Sequence, residues 1–336
     1  MKDLHEMGVE QRDSNGRYTY WLPSVVSIQP QQQKSQDIWH IVFQEGEATV
    51  DLSQCDMVMF YGETGDLPIA FLADAATHEV CVMVHQEHAS HPLVLHPHQR
   101  KGQEDVLTNQ ILCRENQRRR VVFAKACVRQ RLLQTQWLKP ISQKALDRLK
   151  AQTALMPVRL LESCYAKRHW AEYYASLGLT GNHQDNKPVS QALDSLSDYL
   201  QSIMLRWVYL HRLSPFHGFL HEPINATSLL HDLMEPVRHW VELAVHQSFR
   251  EGGEGQLTAR SMARLKTMLT ERVEVPNLQI EATRDNILHG TVMAARAYIM
   301  KDMRNLVFPQ DAEAREVRRP IKTSYEVPGA IRRYRG

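Results

Sequence analysis

The apolar residues of this chain change their spacing near residue 103, and this change restricts the possible folds more than any other feature. Before it, short runs rich in Val, Ile and aromatic residues occupy 38–43, 48–52, 56–61 and 79–84, a pattern typical of β-strands close enough for hairpins. After it, apolar residues recur every three or four positions, as on the buried face of an α-helix. The sequence therefore predicts an α+β fold.

We expect three regions along the chain. Residues 1–100 form a small N-terminal antiparallel β domain. Residues 101–310 form a larger all-α domain, with helical segments at 104–138, 140–154, 157–177, 188–212, 228–249, 257–271 and 277–306. Residues 311–336 are polar, contain Pro320, Pro328 and Gly329 and carry seven Lys and Arg against four Asp and Glu, which indicates a flexible basic tail.

The composition limits the setting of the protein more than its function. The net charge is only +2, so the total charge does not argue for a nucleic-acid partner. No apolar run reaches the roughly 18 residues of a membrane span, and the first residues lack the apolar segment of a signal peptide. The five cysteines are scattered and form no CxxC pair. We therefore expect a reduced, cytoplasmic protein without a membrane span.

A local excess of positive charge lies in the segment 114–131. Basic residues alternate there with apolar ones, so one helix face can pack while another is basic. The basic residues are Arg114, Arg118, Arg119, Arg120, Lys125, Arg129 and Arg131, against Glu115 alone. Such a face either binds phosphate groups or is a solvated surface whose Arg side chains cover apolar neighbours. The sequence of the segment alone does not distinguish these two interpretations.

The stretch GFLHEPINATSLLHDLMEPVR, residues 218–238, places ionisable side chains among leucines, which is costly unless they are paired or bind a metal ion. Asp232 and Glu235 share a helix face, where Mg²⁺ or Mn²⁺ would relieve their repulsion. The same Asp-x-x-Glu spacing is also that of a helix capping box. His221 can complete a carboxylate site as a ligand or move a proton. Glu222 and His231 point elsewhere on a regular backbone, and we assign them no role.

A further acid for such a site has to come from another helix. Glu162 lies between leucines and Cys164 in the segment 158–179, and a carboxylate in an apolar strip needs a reason. Glu172 is equally helical and lies among aromatic residues. The spacing alone does not choose between these two glutamates.

The pattern GFLHE(x)₉DLMEPVR resembles the signature of the CRISPR spacer-acquisition integrases, which are the larger subunit of the CRISPR adaptation complex. In that family a His, an acid eleven residues later and an acid three residues further hold a metal ion. The matching positions in this sequence are His221, Asp232 and Glu235.

The family's remaining ligand is a Glu followed four residues later by Ala and eight residues later by an aromatic residue. Glu162, Ala166 and Trp170 match this pattern, so the resemblance selects Glu162 over Glu172. It implies that Glu162, His221, Asp232 and Glu235 are catalytic, metal-binding residues, with Glu235 either a ligand or a base beside the ligands. Arg238 matches an arginine that follows the last acid in the family.

The resemblance further implies a reaction and partners. A 3′-hydroxyl of a short DNA fragment attacks a phosphodiester of a CRISPR repeat array, and the same site cuts DNA when water attacks instead. We expect double-stranded and branched DNA, a homodimer, and a small ferredoxin-like companion subunit as partners. The expected DNA-binding residues are Arg118, Arg119, Arg120, Lys125, Arg129 and Arg238. One alternative is a catalytically silent DNA-binding scaffold in which the acids only cap helices, and another is a metal-dependent phosphodiesterase that acts on small substrates.

Overall fold

The computed structural model describes residues 9–12, 18–31, 37–44, 46–62, 65–85, 93–95, 106–180, 185–222, 227–311 and 321–332. The chain divides into two compact units, Met1–Glu104 and Asp105–Gly336. Within the described ranges, no helix has both the length and the apolar character needed to cross a membrane.

The first unit consists of two sheets and a helix. Its strands are β1 Val9–Arg12, β2 Tyr18–Pro23, β3 Val25–Pro30, β4 Ile38–Phe43, β5 Gly46–Asp51, β6 Cys55–Tyr61, β7 Cys81–His85 and β8 Leu93–Leu95, and its helix is α1 Ile69–Thr77. One sheet has the order β3-β4-β5, and the other has the order β1-β2-β6-β7-β8. Inward-facing residues of both sheets form one buried cluster, in which Phe71 of α1 meets the ring of Trp39 edge-on at 5.3 Å.

The prediction of antiparallel strands is confirmed for the three-stranded sheet but is incomplete for the five-stranded one. There, β2, β6 and β7 run parallel to one another, so that sheet is mixed. Parallel neighbours need a crossover, and α1 lies in the connection between β6 and β7. The sequence analysis did not predict this helix.

The second unit is largely helical. Its helices are α2 Val106–Glu115, α3 Gln117–Gln134, α4 Gln143–Ala151, α5 Leu155–Ser176, α6 Lys187–Leu210, α7 Ser228–Met234, α8 Arg238–Gly252, α9 Leu257–Thr270 and α10 Arg284–Ile299. A small antiparallel sheet accompanies them, formed by β9 Arg272–Val275, β10 Ile280–Thr283 and β11 Ile331–Arg332. The α+β prediction is confirmed, with this sheet as an addition to the helices.

Local capping explains where the long predicted helices break. The expected helix 104–138 is two helices, because the side chain of Asn116 accepts the backbone N–H of Arg119 at 3.0 Å and begins α3. The expected helix 228–249 is interrupted after Met234, where Pro236 follows. The segment 277–306 begins as β10, and Thr283 then caps α10 by accepting the N–H of Asn286.

Helix α3 is the central packing element of the second unit. It contacts α4, α5, α7 and α8, and its buried residues include Phe123, Cys127 and Val128. The ring of Phe123 stacks on Phe219 with centroids 4.0 Å apart. Because Phe219 lies in the segment before α7, this stack places that segment against α3.

The described part of the expected tail packs against the helical unit. The buried Asp311 accepts hydrogen bonds from Trp240 Nε1 at 2.6 Å and from His239 Nε2 at 3.2 Å. Tyr325 and Val327 are buried, and β11 pairs with β10. Residues 321–332 therefore do not form the expected flexible tail, whereas 312–320 and 333–336 lie outside the described residues.

We predict that Asp311→Asn destabilises the fold. Burial raises the pKa of Asp311, but the charges and hydrogen bonds of His239, Trp240 and Arg284 have the larger, opposite effect. The resulting pKa of Asp311 is about 2. A carboxyl group with a depressed pKa stabilises the fold above its unfolded pKa and loses this contribution as the pH falls toward its folded pKa. Urea unfolding at pH 7 should show a loss of about 3 kcal/mol. The difference from wild type should shrink below about pH 4, and a pH-independent difference would contradict this account.

Candidate active site

Asp232 fixes the backbone of residues 218–222, which we name the 218–222 loop. The carboxylate is 0% exposed. One oxygen accepts the N–H groups of Phe219 at 2.5 Å and Leu220 at 3.0 Å, and the other accepts the N–H of His221 at 3.0 Å. Gly218 is required here because a Cβ would lie 2.6 Å from the backbone of Ser228. Asp232 on α7 therefore sets the path of the loop that carries His221.

Three arginines bind the carbonyl side of the same loop. Arg114 of α2 donates through Nε to Gly218 O at 2.8 Å, and Arg120 of α3 donates through Nε to Phe219 O at 3.0 Å. Arg159 of α5 donates in the same way to Leu220 O at 2.6 Å. Three successive carbonyls thus accept from three different helices, which fixes the loop relative to α2, α3 and α5.

The imidazole of His221 is oriented by Asp232 and remains accessible. Nδ1 lies 2.7 Å from Asp232 Oδ1, and the side chain is 37% exposed. Since the carboxylate accepts at Nδ1, Nε2 keeps its lone pair for another ligand. Burial lowers the pKa of His221, but the hydrogen bond to Asp232 and the charges of Asp232, Glu235 and Glu162 outweigh burial and raise it.

Glu162 of α5 is electrostatically coupled to the residues of the 218–238 stretch. Burial raises the pKa of Glu162 and the negative charge of Glu235 raises it further, against the lowering effect of His221 and of nearby arginines. Glu172, the competing candidate, forms an ion pair with Lys139 instead. Glu162 lines a pocket together with Arg131, and Arg131 lies 3.8 Å from Glu235, so both carboxylates are neighbours of the same arginine.

Arginine side chains surround Glu235. Its two oxygens lie 3.3 Å from Arg238 Nη2 and 3.8 Å from Arg131 Nε. Arg131 also pairs with the buried Glu242, which His169 contacts at 2.9 Å. Burial raises the pKa of Glu242, but Arg131 and His169 lower it to about 2. Arg131 thus compensates two carboxylates, that of Glu235, which directly follows α7, and that of Glu242 on α8.

The arrangement is not a closed set of metal ligands. Within the described residues, no three His, Cys, Asp or Glu side chains are grouped so that they could hold one metal ion. Asp232 uses both oxygens within the protein, so the geometry favours a positioning role for it over the predicted role as a ligand. Glu162 is reachable, because it lines a pocket of about 260 Å³ together with Tyr165 and Ala166.

Several predicted DNA-binding residues have partners inside the protein. Arg119 donates to Tyr298 O and Ile299 O, Arg120 holds the 218–222 loop, and Lys125 donates to Lys150 O and Gln152 O. Arg238 pairs with Glu235, whereas Arg129 is half-buried and Arg118 is exposed. The basic residues of 114–131 therefore do not form one uniform surface.

Sequence reasoning missed Arg159, Glu222 and Glu242, and it placed Arg131 on the outward basic face. The sequence contains one weak signal for Arg159, which lies three residues before Glu162 and therefore on the same helix face. The partners of Arg131 and Glu242 lie on other helices, so no local spacing identifies them.

Comparisons with known proteins place this geometry in a family. A family model described as CRISPR associated protein Cas1 matches residues 31–271, which is more than half of the chain. A search of curated proteins finds no significant match.

Solved structures with the same fold include three of particular interest. A casposase bound to integration product is 16% identical with a TM-score of 0.61, and the match covers 90% of this chain and 96% of the other. A CAS1 protein from Thermotoga maritima is 14% identical with a TM-score of 0.61, covering 84% and 96%. A Cas6-RT-Cas1–Cas2 complex matches at 14% identity and a TM-score of 0.59, covering 89% of this chain and 36% of that one.

We predict that Asp232 and His221 differ in their effect on stability. Asp232→Asn replaces an acceptor with an amide NH₂ that faces N–H donors, so urea unfolding should show a loss of about 2–4 kcal/mol. His221→Asn and Glu162→Gln change accessible side chains and should alter stability by less than about 1 kcal/mol. If Asp232→Asn is as stable as wild type, Asp232 does not hold the loop.

Proposed function

Because this chain belongs to the CRISPR associated protein Cas1 family, we propose that it is a metal-dependent DNA integrase and endonuclease. In this proposal the protein inserts short DNA fragments into a CRISPR repeat array by attack of a 3′-hydroxyl on a phosphodiester. The observation that carries the proposal is geometric: Asp232 orients the accessible imidazole of His221 at a distance of 2.7 Å. Glu162 on α5 lines a pocket together with Arg131, and Arg131 lies 3.8 Å from Glu235. Two repelling carboxylates beside an oriented imidazole are a donor set that suits a divalent cation.

The proposed ligands are Glu162, Glu235 and Nε2 of His221, with Mg²⁺ or Mn²⁺ as the metal. Because these three side chains are not grouped around one point among the described residues, the proposal requires them to move closer together when the ion binds. Such an ion would make the attacking hydroxyl or water a better nucleophile and would neutralise charge on the phosphate oxygens. Asp232 is a positioning residue, because its hydrogen bond at Nδ1 selects the tautomer that leaves Nε2 free to bind. Arg131 and Arg238 hold the carboxylate of Glu235 in place.

The remaining parts of the proposal concern the partners. Integration at both ends of a fragment requires two active centres, so we propose a homodimer with the β domain, about residues 1–100, in dimer and partner contacts. The Cas6-RT-Cas1–Cas2 complex contains a Cas2 component, and this supports a small ferredoxin-like companion subunit. Double-stranded and branched DNA, including repeat DNA, would contact the helical region of about 101–310. A silent DNA-binding scaffold is the alternative reading of the same fold.

A test of the reaction uses the purified protein, Mn²⁺ and a labelled branched DNA. We expect cleavage or joining that disappears with EDTA and falls about a hundredfold or more in Glu162→Gln and His221→Asn. Glu172→Gln is the matched control, because it removes the same charge from the same helix and from the same pocket, at a residue that pairs with Lys139. It should retain wild-type activity.

Three outcomes of that test count against the proposal. Binding of the branched DNA without turnover by the wild type would favour the scaffold. Equal loss of activity in the Glu162 and Glu172 variants would show that the loss is not specific to Glu162, and the assignment of Glu162 as a ligand would be wrong. Full activity in EDTA would remove the metal ion.

A second test concerns the DNA-binding surface. Arg118 is exposed, and Arg118→Ala should weaken DNA binding and reduce the slope of log affinity against log salt by about 1. Lys125→Ala should instead destabilise the fold by about 1 kcal/mol, because two carbonyls lose their donor. Fluorescence anisotropy at several salt concentrations measures the first effect, and urea unfolding measures the second. An unchanged salt slope in Arg118→Ala would exclude a phosphate contact there.

A further inference from the structure

An exposed glutamate bridges two of the arginines that hold the 218–222 loop. Glu222 directly follows His221, and its side chain is 54% exposed. One carboxylate oxygen lies 3.0 Å from Arg120 Nη2, and the other lies 2.9 Å from Arg159 Nη1. The carboxylate thus spans two guanidinium groups from different helices beside the candidate active site.

The two guanidinium groups do not depend on Glu222 for their positions. Each uses its Nε to bind a loop carbonyl, Phe219 O for Arg120 and Leu220 O for Arg159. Both groups therefore stay in place if the carboxylate swings away, which leaves Arg120 Nη2 and Arg159 Nη1 without their carboxylate partner. This is a preorganised pair of donors, of the kind that recognises a phosphate group.

A second observation points to a ligand at the same place. Nη2 of Arg159 is buried and has no hydrogen-bond partner among the residues that the structure describes. Buried donors without a partner are rare in proteins, and each one calls for an explanation such as a bound ion or water. Glu222 contacts Nη1 of Arg159, and the same guanidinium group keeps Nη2 without a partner among the described residues.

We propose that Arg120 and Arg159 form a binding site for a backbone phosphate of DNA, and that the carboxylate of Glu222 occupies this site when DNA is absent. The inference rests on the proposed function for its choice of DNA as the ligand. A phosphodiester presents two non-bridging oxygens and one negative charge, as a carboxylate does. The Glu222 side chain is 54% exposed, so it can leave the two arginines when a phosphate group replaces its negative charge. Glu222 therefore competes with DNA for this site and lowers the affinity for DNA. Glu222 is thereby a specificity-determining residue.

The test compares two variants that remove the same charge. Glu222→Gln keeps the size of the side chain and removes the negative charge that lies between the two arginines. Glu115→Gln is the control, because Glu115 is an exposed glutamate that lies 3.6 Å from Arg114 and contacts neither Arg120 nor Arg159 in the ion pairs described. The probe is a fluorescently labelled forked DNA duplex, and its binding is measured by anisotropy at several salt concentrations. Urea unfolding checks that both variants fold.

We expect Glu222→Gln to bind the duplex about fivefold more tightly than Glu115→Gln and to show a steeper salt dependence. Equal affinities of the two variants, or weaker binding by Glu222→Gln, would overturn the proposal. Competition with inorganic phosphate is the second arm. If Glu222→Gln gains as much affinity for inorganic phosphate as for the duplex, the site takes small phosphates and the assignment to DNA is wrong.

These outcomes are separate from the test of the proposed function. If the wild type neither cuts nor joins DNA but Glu222→Gln still binds the duplex more tightly than the control, the phosphate-binding site is supported and the proposed enzymatic activity is not. If the wild type joins DNA and the two variants bind equally, this inference fails alone.

Discussion

The hydrogen bonds of one buried carboxylate organise the candidate site. Asp232 accepts three backbone N–H groups and the Nδ1–H of His221. A carboxylate without exposure is tolerated in a protein only when such donors replace its water. The path of the 218–222 loop, the tautomer of His221 and the direction of its Nε2 all follow from this requirement.

The arginines around the site act on the same loop from its other side. Arg114, Arg120 and Arg159 bind three successive carbonyls, so the loop is held through both its N–H and its C=O groups. A segment that would otherwise be an irregular connection is therefore fixed to α2, α3, α5 and α7. Catalytic side chains need this kind of support, because a small displacement of a ligand or base is costly to the reaction.

Charge compensation in the interior links stability to chemistry. Arg131 pairs with Glu242 and approaches Glu235, so one guanidinium stabilises both a purely structural carboxylate and a candidate ligand. Removing one partner of such a buried pair leaves an uncompensated charge. Substitutions at Arg131 would thus change the fold and the site together, whereas Glu162 and His221 lie closer to solvent and can be changed with less effect on the fold.

The sequence by itself determined the α+β class, the β4, β5, β6 and β7 strands and most helices of the second unit, all of which follow from local spacing. It also indicated the candidate residues: His221, Asp232 and Glu235 belong to one local motif, whereas Glu162 was chosen over Glu172 by the family resemblance. Only the tertiary structure decided which groups these side chains contact and which basic residues have partners inside the protein. Asp232 hydrogen-bonds to the imidazole of His221, eleven residues earlier in the chain. Carbonyl groups of other segments accept hydrogen bonds from Arg119, Arg120 and Lys125. Helix α1 connects the parallel strands β6 and β7. Such pairings join residues far apart in sequence, and the spacing of a single chain carries no record of which side chains meet when its helices pack.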